Sequence, residues 1–448
     1  MKDKSVLVIG MARSGIAAAP VLKSLGAKVI LNDSKPENQL EGLENLDKND
    51  YEFRLGEKPD ELVDKADLIV ISPSVPLTLP YAEKAKAQGK EVLAEIELAY
   101  RLCKGTTVAI TGTNGKTTTT TLTGEIFKTA ERGCFVVGNI GEPYIAHSLE
   151  ATKDDVMVAE ISSYQLEGIS QFKPKAAALL NITEDHMIRH KTMENYIAAK
   201  LRVFENQTKD DYSVLNFDDE TVRACADRVP GTVVYFSRKE ALKQGAFVRD
   251  NKVVFAFRGA EQEVCSVDEI KIKGPHNLEN ALAATALTML CGASAQAVAQ
   301  TLKTFTGVEH RIETVCVKDG VTYINDSKGT NPDSTIKAIE TMTAPTVLLL
   351  GGYDKGGSFD SLFEAFTENI KHTVFLGVTA PRLKEAADAF GWKNYTVVSG
   401  SFEEAVSEAR KNASDGYNVL LSPACASFDM FKDFEERGRV FKEIVNNF

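Results

Sequence analysis

An α/β fold with three domains is predicted by three observations. Short β-branched runs alternate with amphipathic helical stretches along nearly the whole chain, as parallel sheets with helical crossovers require. Glycine-rich turns follow hydrophobic strands directly in two places, at Gly10–Gly15 and Gly112–Gly115. The 448 residues suffice for two or three domains of about 150, and three is the preferred reading.

The first domain, residues 1–95, opens with the strand Ser5 to Ile9, turns through Gly10-Met11-Ala12-Arg13-Ser14-Gly15 and enters the helix IAAAPVLKSLG. It returns as KVILND, ending near Asp33. This is a Rossmann-like βαβ unit with Ala12 in place of the middle glycine. Alone, the turn fits a nucleotide site and a plain strand-to-helix corner equally. A dinucleotide is disfavoured, because the Ala12 Cβ stands where the backbone would approach a pyrophosphate. The Pro-punctuated stretch SPSVPLTLP at 72–80 and a helix from Ile96 to Leu102 lead to the next strand at Thr106.

The central domain, residues 96–306, carries TGTNGKT at 111–117 between the strand TTVAITG and a helix. Its glycines give G-x-x-G-K-T, with Ile110 where a strict phosphate loop has its first glycine. The setting outweighs the short spacing: backbone N–H groups and a helix N-terminus face any anion held there. A P-loop ATPase-type mononucleotide domain is expected, with Gly112, Thr113, Asn114, Gly115, Lys116, Thr117 and Thr118 cradling ATP, Lys116 on its β- and γ-phosphates and Thr117 on Mg²⁺. Further strands are VMVAEI, ending at Glu160, AAALLNI, followed by Thr183-Glu184-Asp185-His186, and SVLNF. Lys116, Glu160 and His186 are expected to converge at strand carboxyl ends, with Asp185 orienting the His186 ring. His186 and His190 lack the glutamate of H-E-x-x-H and a third ligand, so zinc is not expected. The domain closes with the helix HNLENALAATALTMLCG. FTGVEHRIE at 305–313 links it to residues 307–448, a dinucleotide-binding-like doubly wound domain with strands VTYIND, TVLLLGG, TVFLG and NVLLSPA.

Composition limits the function. Hydrophobic content of 43% and 26% charged residues are ordinary for a soluble protein, and neither a long apolar run nor a signal-peptide pattern is found, so a cytoplasmic enzyme without a membrane partner is expected. A net charge of −11 argues against a nucleic-acid surface. Seven scattered cysteines without a C-x-x-C pair read as reduced thiols.

TGTNGKT, EISSYQLE at 160–167, NITEDH at 181–186, AAK at 198–200, GPHNLENALAA at 274–284, EHR at 309–311, NDSKGTNPD at 325–333 and SPACASFDMF at 422–431 together resemble the Mur ligases, the ATP-dependent amino-acid-adding enzymes of peptidoglycan synthesis. The last stretch, with GGYDKG at 351–356 and no D-N-P-R motif, is most similar to the D-glutamate-adding branch. Ala12, and Ser74 where glycine is expected, depart from the pattern.

The resemblance implies a monomer that uses ATP, UDP-N-acetylmuramoyl-L-alanine and D-glutamate, with two Mg²⁺ ions and an acyl-phosphate intermediate. Thr117 and Glu160 would hold one ion, and His186 with a carbamylated Lys200 the second. From the residues alone, Lys200 reads as a helix-surface lysine. Asn277, Arg311 and Asp326 would contact ATP as the third domain closes; Asp33 and Ser34 would meet the uridine, and Arg13, Ser14, Asn139 and His186 the rest of the UDP-substrate. Lys355, Thr330, Ser427 and the backbone of Phe428 would hold the glutamate, although Lys355 also fits an exposed loop charge. Competing readings are a folylpolyglutamate-synthase-like ligase, a nicotinamide-dependent oxidoreductase and a noncatalytic nucleotide sensor.

Overall fold

The computed structural model describes residues 1–353 and 356–448, which form two compact units. The first comprises Met1–Ile182, Thr192–Ile270 and Leu278–Phe305, and the second Thr183–Lys191, Lys271–Asn277 and Thr306–Phe448. Among the described residues, no helix is long and apolar enough to cross a membrane.

The first unit holds two sheets. Strands β1 (Ser5–Ile9), β2 (Lys28–Asp33), β3 (Glu52–Leu55), β4 (Leu68–Ile71) and β5 (Glu91–Ala94) pair in parallel in the order β3-β2-β1-β4-β5. Val6, Leu7 and Val8 are fully buried, as central strands covered on both faces require. The strand order reverses beside β1, which opens a crevice at its carboxyl end, beyond Gly10. Gly15 must be glycine, since a Cβ there would come within 2.0 Å of the Gly10 carbonyl oxygen. The first helix begins at Arg13 rather than after Gly15 as the sequence predicts. Ile16 N–H already reaches Ala12 O at 3.0 Å, so the glycine turn is itself the first helical turn.

The second sheet comprises β6 (Thr106–Thr111), β7 (Cys134–Gly138), β8 (Val156–Glu160), β9 (Ala176–Leu179), β10 (Tyr212–Asn216), β11 (Thr232–Ser237), β12 (Gly245–Arg249), β13 (Lys252–Phe257) and β14 (Ala260–Ser266), in the order β14-β13-β12-β11-β10-β9-β6-β8-β7. The parallel part places the ends of β6, β8 and β9 side by side, with Ile110 opposite Glu160 and Thr111 opposite Leu179. The antiparallel excursion β12-β13-β14 departs from the parallel pattern read along nearly the whole chain. Its turns, at Asp250-Asn251 and Arg258-Gly259, adopt positive φ without the Asn-Gly signal that marks a tight hairpin.

These two sheets are locked together by the helix Glu95–Leu102, which continues directly from β5. The fully buried Glu97 carboxylate accepts the backbone N–H groups of Ser170, Gln171 and Phe172, each at 2.9 Å, and Arg101 Nε at 2.6 Å. Four donors satisfy a charge that would otherwise be prohibitive to bury. Ala94 N–H adds a bond to Gly168 O at 3.0 Å.

The second unit's sheet contains β15 (Glu313–Lys318), β16 (Val321–Asn325), β17 (Thr346–Gly351), β18 (Ile370–Leu376), β19 (Tyr395–Val397) and β20 (Asn418–Leu421), in the order β15-β16-β20-β17-β18-β19. Alternate residues feed two cores: Leu348, Leu350 and Phe375 pack on one face, and Val347, Leu349 and Val374 on the other. That is the doubly wound arrangement predicted.

Replacing Glu97 by alanine strands three backbone N–H groups, of which that of Phe172 is buried, and the Arg101 guanidinium. A loss of about 3 kcal/mol in unfolding free energy is expected in denaturant titration, whereas a neutral surface acid would cost under about 0.5.

Candidate active site

The loop at the end of β6 is built from within. Gly115 has φ +82°, and a Cβ on it would lie 2.3 Å from Asn280 Oδ1, so no other residue fits. Asn181, beyond β9, backs the loop: its carbonyl accepts Thr113 N–H at 3.0 Å and its side chain bonds both Asn114 N–H and Asn114 O, at 2.8 and 3.0 Å. Neither Asn181 nor Asn280 was singled out as a site residue; their place in NITEDH and GPHNLENALAA was the available signal.

Two lysines meet at this loop. Lys116, the first residue of the helix Lys116–Thr129, donates from Nζ to Gly112 O at 2.9 Å and to Thr113 O at 2.7 Å. Lys200, in the helix Met193–Leu201, is 2% exposed and donates to the same Gly112 oxygen at 2.7 Å. Its ammonium lies 4.6 Å from the Tyr196 ring centroid, and Tyr196 OH bonds Thr113 Oγ1 at 3.2 Å. Two ammonium groups bound to one carbonyl oxygen repel each other across a few ångströms, and an anion in the loop would relieve that repulsion. Thr117 and Thr118, next along the helix, are buried.

Glu160 ends β8 one strand away and is 1% exposed. Its Oε1 accepts Asn139 Nδ2 at 2.8 Å, and its backbone oxygen accepts Asn139 N–H at 2.9 Å. Its Oε2 is buried with no hydrogen-bond partner among the described residues. An orphaned carboxylate oxygen near a threonine-bearing helix start is a donor set that fits a hard divalent cation such as Mg²⁺.

Elsewhere in the first unit, the Arg13 guanidinium donates to Gly141 O, while Ser14 lies in the first helical turn. Asp33 is committed to its own surroundings, accepting Met11 N–H at 2.8 Å and Lys35 N–H at 2.9 Å; Ser34 beside it is exposed.

The second unit carries the remaining candidates. His186 adopts φ +57°, a left-handed conformation uncommon for histidine, and caps the short helix Met187–His190; Asp185 Oδ2 lies 3.5 Å from its Nε2. His186 and Thr330 line one cavity of about 380 Å³ together with Asp333, Tyr353, Phe359 and Cys425. Ser427 is buried and Phe428 exposed, and neither is on that cavity's wall. Lys355 lies outside the described residues.

Asp326, fully buried after β16, accepts Ser422 Oγ at 2.7 Å and sits 3.6 Å from the Arg311 guanidinium. Burial pushes its carboxyl up to about 6, against the opposing pull of Arg311 and Ser422. Arg311 also donates to Ser334 Oγ at 2.6 Å, and Asn277 Nδ2 to Lys273 O at 2.8 Å. The structure thus gathers Lys116, Thr117, Glu160, Asn139 and Lys200 around the ends of β6 and β8 in one unit. His186, Asn277, Arg311, Asp326 and Thr330 belong to the other.

A lysine loop at a strand-to-helix junction, an orphaned carboxylate one strand away and two further doubly wound sheets define a nucleotide-using α/β enzyme. Comparison with known proteins gives the class. Residues 4–94 match the Mur ligase MurD-like N-terminal domain, 110–288 the Mur ligase middle domain and 310–425 the Mur ligase glutamate ligase domain. The chain belongs to the Mur ligase family and is an ATP-dependent ligase. It is 51% identical over 450 residues to a UDP-N-acetylmuramoylalanine–D-glutamate ligase of Alkaliphilus oremlandii, covering 100% of this chain and 99% of that one. A protein of the same name from Clostridioides difficile is 46% identical over 452 residues, covering 100% and 99%. Among solved structures, UDP-N-acetylmuramate-alanine ligase of Thermotoga maritima is similar in fold, with a TM-score of 0.62 at 19% identity over 99% of both chains. MurF ligase of the same organism, in complex with ADP, has a TM-score of 0.61 at 16% identity, covering 100% of this chain and 96% of that one.

His276, next to Asn277, has both ring nitrogens buried without partners among the described residues, and burial pushes its pKa down to about 4, helped by Arg311 and Lys337. A depressed histidine binds fewer protons folded than unfolded, so its contribution to stability is complete above the ordinary value near 6.5 and is lost as pH falls toward 4. Relative to a His276→Gln variant, the wild type is therefore expected to lose up to about 3 kcal/mol between pH 7 and pH 4. Denaturant titrations at several pH values measure it, and a constant difference would contradict the assignment.

Proposed function

We propose that the protein joins D-glutamate to UDP-N-acetylmuramoyl-L-alanine with consumption of ATP, in the cytoplasm and as a monomer. The reading is carried by the two ammonium groups on Gly112 O beside the orphaned Glu160 oxygen, an arrangement that calls for a polyphosphate and its counter-cation. The substrates are those named for the relatives at about half identity along the full chain.

The alanyl carboxylate attacks the γ-phosphorus, giving an acyl phosphate and ADP. The α-amine of D-glutamate then attacks the acyl carbon and releases inorganic phosphate. Both steps accumulate negative charge on oxygen, so the chain's contribution is to position and to stabilise electrostatically. Lys116 and the loop N–H groups that Asn181 does not engage, those of Gly115 to Thr118 among them, would hold the phosphates. Thr117 with Glu160, and His186 with Lys200, would hold two Mg²⁺ ions. When bound, such ions would supply positive charge against the negative charge that develops in phosphoryl transfer. Asn139, Arg13, Ser14, Asp33, Ser34 and His186 would bind the UDP-substrate. Asn277, Arg311 and Asp326 would bind ATP, and Thr330, Lys355, Ser427 and Phe428 the glutamate. The functional divisions are 1–95 for the UDP-substrate, 96–306 for ATP and 307–448 for the amino acid and for closure over ATP.

ADP release should require both UDP-N-acetylmuramoyl-L-alanine and D-glutamate, and should not occur with a folate or with L-glutamate in their place. Lys116→Ala should lower kcat about 10²–10³-fold with its melting temperature unchanged. ADP release independent of the UDP-substrate, or a fully active Lys116→Ala, would refute the reading.

Lys200 is proposed to be carbamylated in the working enzyme. Once its Nζ has lost a proton, the neutral amine adds CO₂ and releases a second proton, which replaces a cation beside Lys116 with carbamate oxygens that suit Mg²⁺. Protein equilibrated with ¹³C-labelled bicarbonate should show a carbamate carbon resonance that disappears in Lys200→Ala. The same spectrum from both proteins would remove the modification.

A further inference from the structure

Glu95 is a buried acid with no part in the chemistry above. It opens the helix Glu95–Leu102, two residues before the Glu97 clamp, and is 1% exposed. Its Oε1 accepts a single hydrogen bond, from Ile145 N–H at 2.7 Å, and its Oε2 is buried without a partner among the described residues. Burial raises its pKa to about 7. A carboxyl group so poorly satisfied is costly to keep where an apolar side chain would pack without penalty, so its contribution must lie in what it holds.

What it holds is one end of the stretch Gly138–Ile145. Ile145 lies in the short turn Tyr144–His147, which the Tyr144 hydroxyl fixes to Thr107 Oγ1 at 2.7 Å. At the other end, Asn139 is tied to Glu160 through both its backbone and its side chain. Between these anchors, Gly141 O receives the Arg13 guanidinium from the first sheet's glycine turn. The stretch therefore spans the two sheets and carries Asn139 and the acceptor of Arg13. Its anchor at Ile145 is set by the helix that Glu97 bolts down.

We propose that Glu95 is a positioning residue, which through Ile145 latches the Gly138–Ile145 stretch in the conformation that presents Asn139 and Arg13 to the UDP-substrate. The inference rests on the reading of Asn139 and Arg13 as substrate contacts. Glu95 touches no substrate itself. Its effect falls on binding of the UDP-substrate, while the far end of the stretch, where Asn139 meets Glu160, keeps its own two bonds.

The test is steady-state kinetics of the full chain with each substrate varied in turn. Glu95→Leu should raise KM for UDP-N-acetylmuramoyl-L-alanine about tenfold, with KM for ATP and D-glutamate within about twofold of wild type. Glu95→Gln, whose amide oxygen still accepts from Ile145 N–H, should stay close to wild type. Deuterium exchange over residues 139–147 should be faster in Glu95→Leu than in Glu95→Gln. If Glu95→Leu fails to fold, Glu95→Met fills the same space and is measured instead. Equal effects on all three KM values, no effect, or equal damage from both variants would overturn the latch. Asn139→Ala separates the two levels: if it raises KM for the UDP-substrate while Glu95→Leu is silent, the latch alone falls. If Asn139→Ala is itself silent, the assignment of Asn139 falls and the latch with it.

Discussion

Two ammonium groups bound to one backbone oxygen set the terms for the rest of the first unit. Lys116 and Lys200 both donate to Gly112 O, which brings two positive charges to one point of the loop. Holding them there takes a loop that cannot move: Gly115 pressed against Asn280, and Thr113 and Asn114 fastened to Asn181. Two positive charges are thus held at the end of the loop, where the negative charge of a polyphosphate would meet them. Such preorganisation is what phosphoryl transfer asks of a protein, since most of its catalysis is electrostatic.

The sheets supply the distances. Parallel strands β6, β8 and β9 end side by side, so a lysine loop, a carboxylate and an asparagine from remote parts of the sequence face one crevice. The two sheets of the first unit share a buried carboxylate clamp, Glu97 on residues 170–172, which makes their relation a matter of hydrogen bonds rather than linker stiffness. In the second unit the same architecture recurs with different contents: a buried Asp326 facing Arg311, and a cavity walled by His186 and Thr330.

Much of this was legible because it is local. The βαβ turn at Gly10–Gly15, the lysine loop, and Glu160 at a strand end all follow from short periodic patterns and glycine placement, and the structure puts each where those patterns require. What was not legible is long-range or lacks a spacing signature. Asn181 and Asn280 act through side chains that reach the loop from 67 and 161 residues away in the chain, from Asn114 and Thr119 respectively. The strands β12-β13-β14 turn on Asp250, Asn251 and Arg258 at positive φ, residues that also occur in ordinary loops. The Asp33 carboxylate also holds the Met11 and Lys35 N–H groups, a use that only the folded turn reveals. Glu95 and Glu97 sit in an unremarkable helical stretch, and their burial depends on loops at 145 and 170–172.

The central claim is that the crevice at Gly112 and Glu160 activates a substrate carboxylate by phosphorylation. It is tested most directly by placing a heavy-oxygen label in the alanyl carboxylate of the UDP-substrate and following it by mass spectrometry through a complete reaction. Acyl-phosphate chemistry moves one carboxylate oxygen into the released phosphate, so labelled inorganic phosphate should form in step with the amide product. Unlabelled phosphate, with product formed at the normal rate, would contradict the account.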